Sequence, residues 1–365
     1  MKYKLSEIGK VVGGGTPSTK QPEYYTDSEI PWITPKDLSG YDKMFISKGN
    51  RDITKSGLEN SSAKLLPAKS ILVSSRAPIG YVAIAKNKIA TNQGFKSIIP
   101  NESLVIPEYL YFVMKTSKQN LEQIASGSTF KEISTKVMSN FEVDIPSMNE
   151  QKRILRYLLP ITRKIEKNIK INDNLLELSQ AIFKNKFPNV NDGSEKVGMY
   201  ITNYDKNRKP LSKKQRSQIP GKYRYIGATS VNDYISKYNF DGIYLLLGED
   251  GTVQDDNGYP ILQYIHGKFW PNNHAHVLQG NKVSTEWLYL FFLQRNIDGI
   301  VTGAVQKKIS QKNLNSLSIA VPDSGELAKF DNLIQPIFKQ IRTLDRENGR
   351  LSKIKQELLK KFFSR

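Results

Sequence analysis

The chain has 365 residues, of which 38% are apolar. It is long enough for two or three domains with real cores and too apolar to be disordered throughout. Lys and Arg number 54 against 35 Asp and Glu, a formal net charge of +19 that points to a polyanionic partner, nucleic acid first. Cysteine is absent, which excludes disulfides, thiolate metal sites and a thiol nucleophile. The opening MKYKLSEIGKVV has no signal-peptide core, and no apolar run of about 18 residues could span a membrane, so a cytoplasmic location is expected.

In chain order, Leu5-Ser-Glu-Ile8 is followed by a glycine-rich turn, Gly13-Gly-Gly-Thr-Pro17. This turn lacks the G-x-x-x-x-G-K-[ST] spacing of a phosphate loop. Ser70–Ser74 reads as a buried strand and Tyr109–Lys115 as a buried helix. Phe141–Ile145 alternates apolar and polar residues as a strand does and stops at Pro146. Residues 150–187 then carry few helix breakers other than Pro160, and Pro188-Asn-Val-Asn-Asp-Gly193-Ser reads as a linker. Beyond it, Gly242–Leu247 reads as a buried strand, Trp287–Leu293 as a buried helix, and Leu317–Val321 as a strand ending at Pro322. Residues 325–365 form the final helical stretch.

The second half repeats the first. A shift of 176 residues lays 127–187 over 303–363 without a gap, and 15 of the 61 positions are identical. Gly127, Lys131, Ile133, Ser134 and Lys136 fall on Gly303, Lys307, Ile309, Ser310 and Lys312, and Pro146 and Pro160 fall on Pro322 and Pro336. Ile154, Leu158, Ile161, Ile165, Asn168, Asn172, Leu175, Ser179 and Ile182 are spaced as a heptad seam. Phe330, Ile334, Ile337, Ile341, Leu344, Asn348, Leu351, Lys355 and Leu358 match them. Two helices that share a seam, with Asn172 and Asn348 at one matched position to set register, pack on each other. Pro160 and Pro336 should bend their helices. The expected layout is an α/β (α+β) protein with globular regions at 1–148 and 189–324 and long helices at 149–188 and 325–365.

Several motifs together resemble a known family. They are Leu5-Ser-Glu-Ile8 with Gly13–Pro17, Pro31-Trp-Ile-Thr-Pro-Lys-Asp-Leu38, Ser70-Ile-Leu-Val-Ser-Ser-Arg76-Ala-Pro78-Ile-Gly80, Ala90-Thr-Asn-Gln-Gly-Phe95, and Gly-x5-Ile ahead of strand, Pro and helix. With the two-fold plan, they resemble the specificity subunits of type I restriction–modification enzymes. In the second half Tyr225-Ile226-Gly227 stands for Trp-Ile-Thr and Gly248-Glu-Asp-Gly251 for Ser-Ser-Arg, as two domains reading different sequences would differ. The resemblance implies two target-recognition domains reading a bipartite, asymmetric site in double-stranded DNA. It implies two long helices packed as an antiparallel coiled coil that serves as a ruler. It also implies docking of two adenine methyltransferase subunits that use S-adenosylmethionine, with restriction subunits able to join. The chain itself is expected to be no enzyme and to hold no cofactor. A helix of about 35 residues spans about 50 Å, roughly 15 base pairs.

Candidate DNA-binding residues follow from side-chain chemistry. Lys206 to Arg224 contains no acidic residue, and Lys209, Lys213, Lys214, Arg216 and Arg224 suit phosphate contacts or a solvated loop. Ser74, Ser75 and Arg76 follow a strand, where Arg76 can grip guanine or structure its own loop. Thr34 and Lys36 follow Trp32 on similar terms. Asn92, Gln93, Asn272 and Asn273 can pair with adenine or serve as turn residues. Lys131 and Lys307, with Lys308 beside the latter, fit phosphate contacts shared by both halves. His274 suits a DNA-facing loop. His274 and His276 without cysteine or a nearby acidic cluster do not make a metal site, so none is expected. No Asn/Asp-Pro-Pro-aromatic methyltransferase motif occurs, and Pro322-Asp323-x-x-Glu326 reads as a helix cap. The alternative to DNA recognition is a coiled-coil scaffold whose globular ends bind protein.

Overall fold

The computed structural model describes residues 1–127, 131–303 and 306–363. The chain forms two compact units. Residues 1–167 with 348–365 make the first, and residues 168–347 the second. Both mix strands and helices, and each takes part of both long helices.

In the first unit a five-stranded sheet runs Gly9–Gly13, Lys96–Pro100, Ile71–Val73, Val82–Ala85 and Phe45–Ile46 in spatial order. A four-stranded sheet holds Tyr25–Thr26, Arg51–Ile53, Ile30–Ile33 and Ala90–Thr91, the last pair parallel. Ile71, Val73, Ile84 and Ile98 on one sheet face pack with Leu110, Phe112 and Met114 of the helix Pro107–Thr116. In the second unit a six-stranded sheet runs Ile201–Asn203, Ala275–Gly280, Phe240–Gly248, Leu262–Pro271, Pro220–Ile226 and Val231–Ile235. The helix Thr285–Leu293 covers it and is apolar on nearly every side, which fits its burial of Trp287, Leu288, Leu290, Phe291 and Phe292.

The duplication reaches further than the ungapped alignment, and strand register traces it. Ile98 pairs with Ile71 and Ile71 with Ile84, as Leu278 pairs with Leu245 and Leu245 with Tyr264. Trp32 and Ile33 pair in parallel with Ala90 and Thr91, as Tyr225 and Ile226 pair with Trp270 and Pro271. Tyr3 opposite Val143 matches Glu195 opposite Ile319. The N-terminal strands of the two units share little sequence, yet they hold one place in one topology.

The first long helix is Met148–Lys186 and the second Ser324–Phe363. Asp323 accepts from the backbone N–H groups of Gly325 and Glu326 and caps the second. At the start of the first, Gln151 is fully buried. Its side chain accepts from Ile106 N–H and donates to the Leu104 and Pro146 carbonyls, which ties the helix to its own unit. The helices pack antiparallel. In the second unit Asn168 meets Glu347, Asn172 meets Asp345, and Phe183 meets Phe330. In the first, Tyr157 stacks on Phe362.

Ile154, Leu158, Ile334 and Ile341 are buried, while Ile165, Asn172, Leu175, Asn348 and Leu351 are half-buried. The seam departs from the heptad reading at one repeated place. Thr162 and Phe338 are buried, and Ile161 and Ile337 are only half-buried. The runs 154-158-162 and 330-334-338 step by four because a straight helix has 3.6 residues per turn and drifts from a 3.5 repeat. Pro160 and Pro336 face solvent, and helical structure continues through both. Among the described residues no helix is long and apolar enough to cross a membrane.

Candidate nucleic-acid interface

Segments far apart in sequence meet at one edge of each unit, joined by backbone hydrogen bonds. In the first unit Asn92 N–H bonds Ile33 C=O at 2.9 Å, Ser75 N–H bonds Gly94 C=O at 2.7 Å, and Ile133 N–H bonds Ser75 C=O at 2.9 Å. The glycine turn closes the same edge, where Gly14 and Gly15 N–H bond the Phe95 and Thr91 carbonyls. A Cβ on Gly14 would lie 1.9 Å from the Asn92 carbonyl oxygen, so the turn needs glycine there.

The second unit builds the same ladder. Asn272 N–H bonds Ile226 C=O at 2.8 Å, Glu249 N–H bonds His274 C=O at 2.9 Å, and Ile309 N–H bonds Glu249 C=O at 2.8 Å. Bridges Ser126–Glu132 and Thr302–Lys308 close the Gly-x5-Ile loops, and bridges Arg76–Glu132 and Asp250–Lys308 fasten them to the neighbouring segment. Gly127 and Gly303 both have positive φ, +121° and +90°, which favours glycine at the same step.

The ladder brings together Thr34, Lys36, Ser74, Ser75, Arg76, Asn92, Gln93 and Lys131 of the sequence candidates, but their side chains have different roles. Ser74 and Ser75 are fully buried. Ser74 Oγ donates to Pro78 C=O and accepts from Tyr81 N–H, and Ser75 Oγ donates to Gly94 C=O. Thr34 Oγ1 donates to Asp37 at 2.6 Å. Asn92 Oδ1 accepts from Gly94 N–H and holds a turn, as Asn272 Oδ1 does for His274 N–H. Lys36, Gln93 and Lys131 are exposed, and Gln93 touches Thr16. Arg76 is also exposed, and its Nε lies 2.9 Å from Glu132. Burial pushes the Glu132 carboxyl up, but the bonds from Arg76 and Lys96 outweigh it and hold the group below its ordinary value.

In the second unit Lys209, Lys213, Lys214, Asn273, His274, Lys307 and Lys308 are exposed, and Asn272 is buried. Lys209 C=O accepts from Trp270 Nε1, which pins the basic run to the sheet. Arg216 bonds Asp233 and the Leu211 carbonyl and lies over the Tyr225 ring. Arg224 is half-buried and donates to His266 C=O at 2.7 Å. Burial holds its pKa below the ordinary arginine value. Two of the five cations picked from the basic run thus brace the fold.

Sequence reasoning missed a buried polar cluster beneath the second ladder and took His276 to lack acidic neighbours. Asp205, Glu249 and His276 present ligand atoms within 4.8 Å of one another. Their donors are already engaged. His276 Nδ1 lies 2.6 Å from Asp205, its Nε2 lies 2.8 Å from Ile309 C=O, and Arg208 reaches Glu249 at 2.6 Å and Asp205 at 3.5 Å. Arg208 supplies the positive charge that a metal ion would bring, so this set does not fit one. Burial pushes Asp205 up, but bonds from His276, Gln311 and Val277 N–H win and set its carboxyl at about 2. Its signal in the sequence was Asp205 immediately before the basic run and His276 at the repeat position of Lys96.

Comparison with known proteins matches the chain twice, at residues 1–176 and 201–359, to the family model described as type I restriction modification DNA specificity domain. The type I restriction enzyme MjaIX specificity subunit of Methanocaldococcus jannaschii is 31% identical, over 98% of this chain and 91% of its own. The EcoR124I/EcoR124II specificity subunit of Escherichia coli is 33% identical over 42% of this chain and 39% of its own. The crystal structure of a type I restriction–modification S subunit from M. genitalium shares the fold, with a TM-score of 0.57 at 15% identity, covering 99% of this chain and 95% of that one.

Proposed function

This chain belongs to the type I restriction–modification specificity subunits, the non-catalytic DNA-recognition component, and we propose that its two units read the two halves of one bipartite, asymmetric duplex site. Residues 1–148 and 189–324 are the two readers, and residues 149–188 and 325–365 are the arms between them. Two adenine methyltransferase subunits, each using S-adenosylmethionine, dock on the arms, one for each copy of the duplicated plan. Restriction subunits complete the nuclease, and the complex works in the cytoplasm on host DNA.

One observation carries this reading: the same backbone ladder edges both units but bears different side chains. Arg76 in one unit stands where Asp250 stands in the other, as the bridges to Glu132 and Lys308 align them. A shared frame with exchanged side chains is what two readers of unlike half-sites need, since phosphate contacts position a protein and base-edge contacts specify the sequence. The exposed ladder residues Lys36, Arg76, Gln93, Lys131, Asn273, His274, Lys307 and Lys308 are the reading set, with Lys209, Lys213 and Lys214 on phosphates.

Reconstitution with the cognate modification subunits, followed by mapping of N6-methyladenine, tests the proposal. The expected result is one two-part sequence with an unread spacer, methylated only when all subunits are present, and duplex affinity that falls steeply with salt. Methyl transfer or cleavage by the purified chain alone overturns it. Absence of salt-dependent duplex binding returns the chain to the scaffold class.

A further inference from the structure

The two ladders differ at one buried position. Lys96 opens the strand Lys96–Pro100 and pairs with Gly13 of the first strand. The matching strand of the second unit pairs Asn203 with Leu278 and Ile201 with Gly280, which sets His276 across from Asp205. Lys96 is therefore the counterpart of His276, and Gly13 the counterpart of Asp205. Both Lys96 and His276 are buried.

Each binds the end of the Gly-x5-Ile loop. Lys96 Nζ lies 3.2 Å from Glu132 Oε1, on the loop itself. His276 Nε2 lies 2.8 Å from the Ile309 carbonyl oxygen, at the residue that ends the loop. A carbonyl only accepts, and the ionised Asp205 carboxylate on the other side of the ring also accepts, so both ring nitrogens carry hydrogen. The partner carboxylate has changed place. It sits on the loop as Glu132 in the first unit, where the strand has Gly13, and just past the strand Ile201–Asn203 as Asp205 in the second, where the loop has Lys308.

We infer that Lys96 and His276 are equivalent positioning residues, each a buried cationic lock that holds the end of its unit's Gly-x5-Ile loop, Glu132–Ile133 or Lys308–Ile309, against the DNA-reading ladder. With the counter-charge off the loop, Lys308 stands exposed beside Lys307, 3.8 Å from Glu249. In the first unit the loop carboxylate is retained and spends its charge on Arg76 and Lys96. A buried cation without its carboxylate, or the reverse, is costly, so the exchange requires all three positions to change together. This inference rests on the DNA-reading role proposed above, but its first test does not.

The test uses the full-length chain with Lys96→Gln, His276→Gln, and the triple change Asp205→Gly, His276→Lys, Lys308→Glu, which transplants the first unit's lock into the second. Amide hydrogen exchange without DNA follows Ile133 N–H and Ile309 N–H, which bond Ser75 and Glu249. Lys96→Gln should speed exchange at Ile133 by about tenfold or more and spare Ile309, His276→Gln should do the reverse, and the triple variant should restore Ile309 to near its native protection. Asp205→Gly with His276→Lys alone, which leaves Glu249 as the nearest carboxylate and none on the loop, should protect Ile309 less than the triple variant does. If His276→Gln fails to fold, the triple variant and Lys96→Gln still decide the matter. Unchanged exchange at both amides, or rescue that does not need Lys308→Glu, overturns the lock. The second arm measures affinity for a duplex carrying the site mapped from native methylation. There each glutamine variant should lose about tenfold or more, a shift of about 1.4 kcal/mol. Native protein that ignores this duplex refutes the reading role while leaving the exchange result standing. Native binding with variants that bind equally well refutes the inference alone.

Discussion

The two units of this chain solve one folding problem with opposite charge arrangements. In the first, Glu132 on the loop gathers Arg76 and Lys96. In the second, Asp205 and Glu249 hold His276 and Arg208, and the loop edge carries the exposed Lys307 and Lys308, the latter 3.8 Å from Glu249. The second unit also adds Lys209, Lys213 and Lys214, for which the first has no equivalent run. A duplicated backbone thus fixes where side chains project, while charge placement sets how strongly each edge attracts phosphate and how selectively it can meet bases.

The cores differ in a parallel way. Where the helix Thr285–Leu293 meets both long helices, Trp287 packs on Phe183 and Phe187, and Phe330 packs on the same two rings. The matching positions of the first unit are Tyr109, Leu359, Phe363 and Ile154, less aromatic and less fully enclosed. Trp287→Ala should therefore give the largest loss, about 3–5 kcal/mol, because it empties a site that is wholly buried. Denaturant unfolding monitored in each unit should place that loss in the second. An equal loss in both would mean that the units do not fold around separate cores.

Arg76→Ala comes next. It removes a planar donor pair from the first edge, and about 1–3 kcal/mol of discrimination at one base pair should go with it. Methylation mapping of the variant should show relaxed choice at one position of one half-site, with the other half-site unchanged. Relaxation spread over both halves would break the assignment of one unit to one half.

Asp205 offers a comparison by acid. Its carboxyl is held at about 2, against 3.8 for an ordinary aspartate. A depressed folded-state value adds stability above the unfolded value, and this is lost as pH falls from about 3.8 to about 2. At about 1.4 kcal/mol per unit the contribution is about 2 kcal/mol. Asp205→Asn should remove that slope from the acid unfolding curve. A curve of the same steepness in this window would locate the acid-sensitive group elsewhere.

Much of this comparison was readable in the sequence, and the parts that were not have a common cause. Tyr225-Ile226 standing for Trp32-Ile33 and the turn alternative for Asn92 and Asn272 were visible because parallel pairing and tight turns restrict residue type locally. The buried helices Pro107–Thr116 and Thr285–Leu293 followed from unbroken apolar runs. The locks were missed because each joins residues tens of positions apart, Lys96 to Glu132 and His276 to Asp205, and a pair spaced so widely leaves no periodic trace, only the matched repeat positions of Lys96 and His276. For the same reason Ser74, Ser75 and Arg224 stood out by residue type, although their polar groups turn inward. The N-terminal strands escaped self-comparison because Gly9–Gly13 and Ile201–Asn203 match in register and not in residue.

The smallest effects separate attraction from reading. Lys209, Lys213 and Lys214 are exposed. Each replaced singly by alanine should reduce the slope of log affinity against log salt by about 0.9, the value for one phosphate that the protein no longer neutralises. Affinity should fall for specific and random duplexes alike, because a phosphate contact carries no sequence information. Lys131→Ala in the first unit should have a slope change of the same size, and Lys307→Ala should match it at the repeated place. If the basic-run lysines change the methylated sequence while leaving the slope intact, they read bases, and the second unit's excess charge then serves selectivity. If they change the slope alone, that charge holds the second unit on the duplex and the exposed ladder residues are left to sample base pairs.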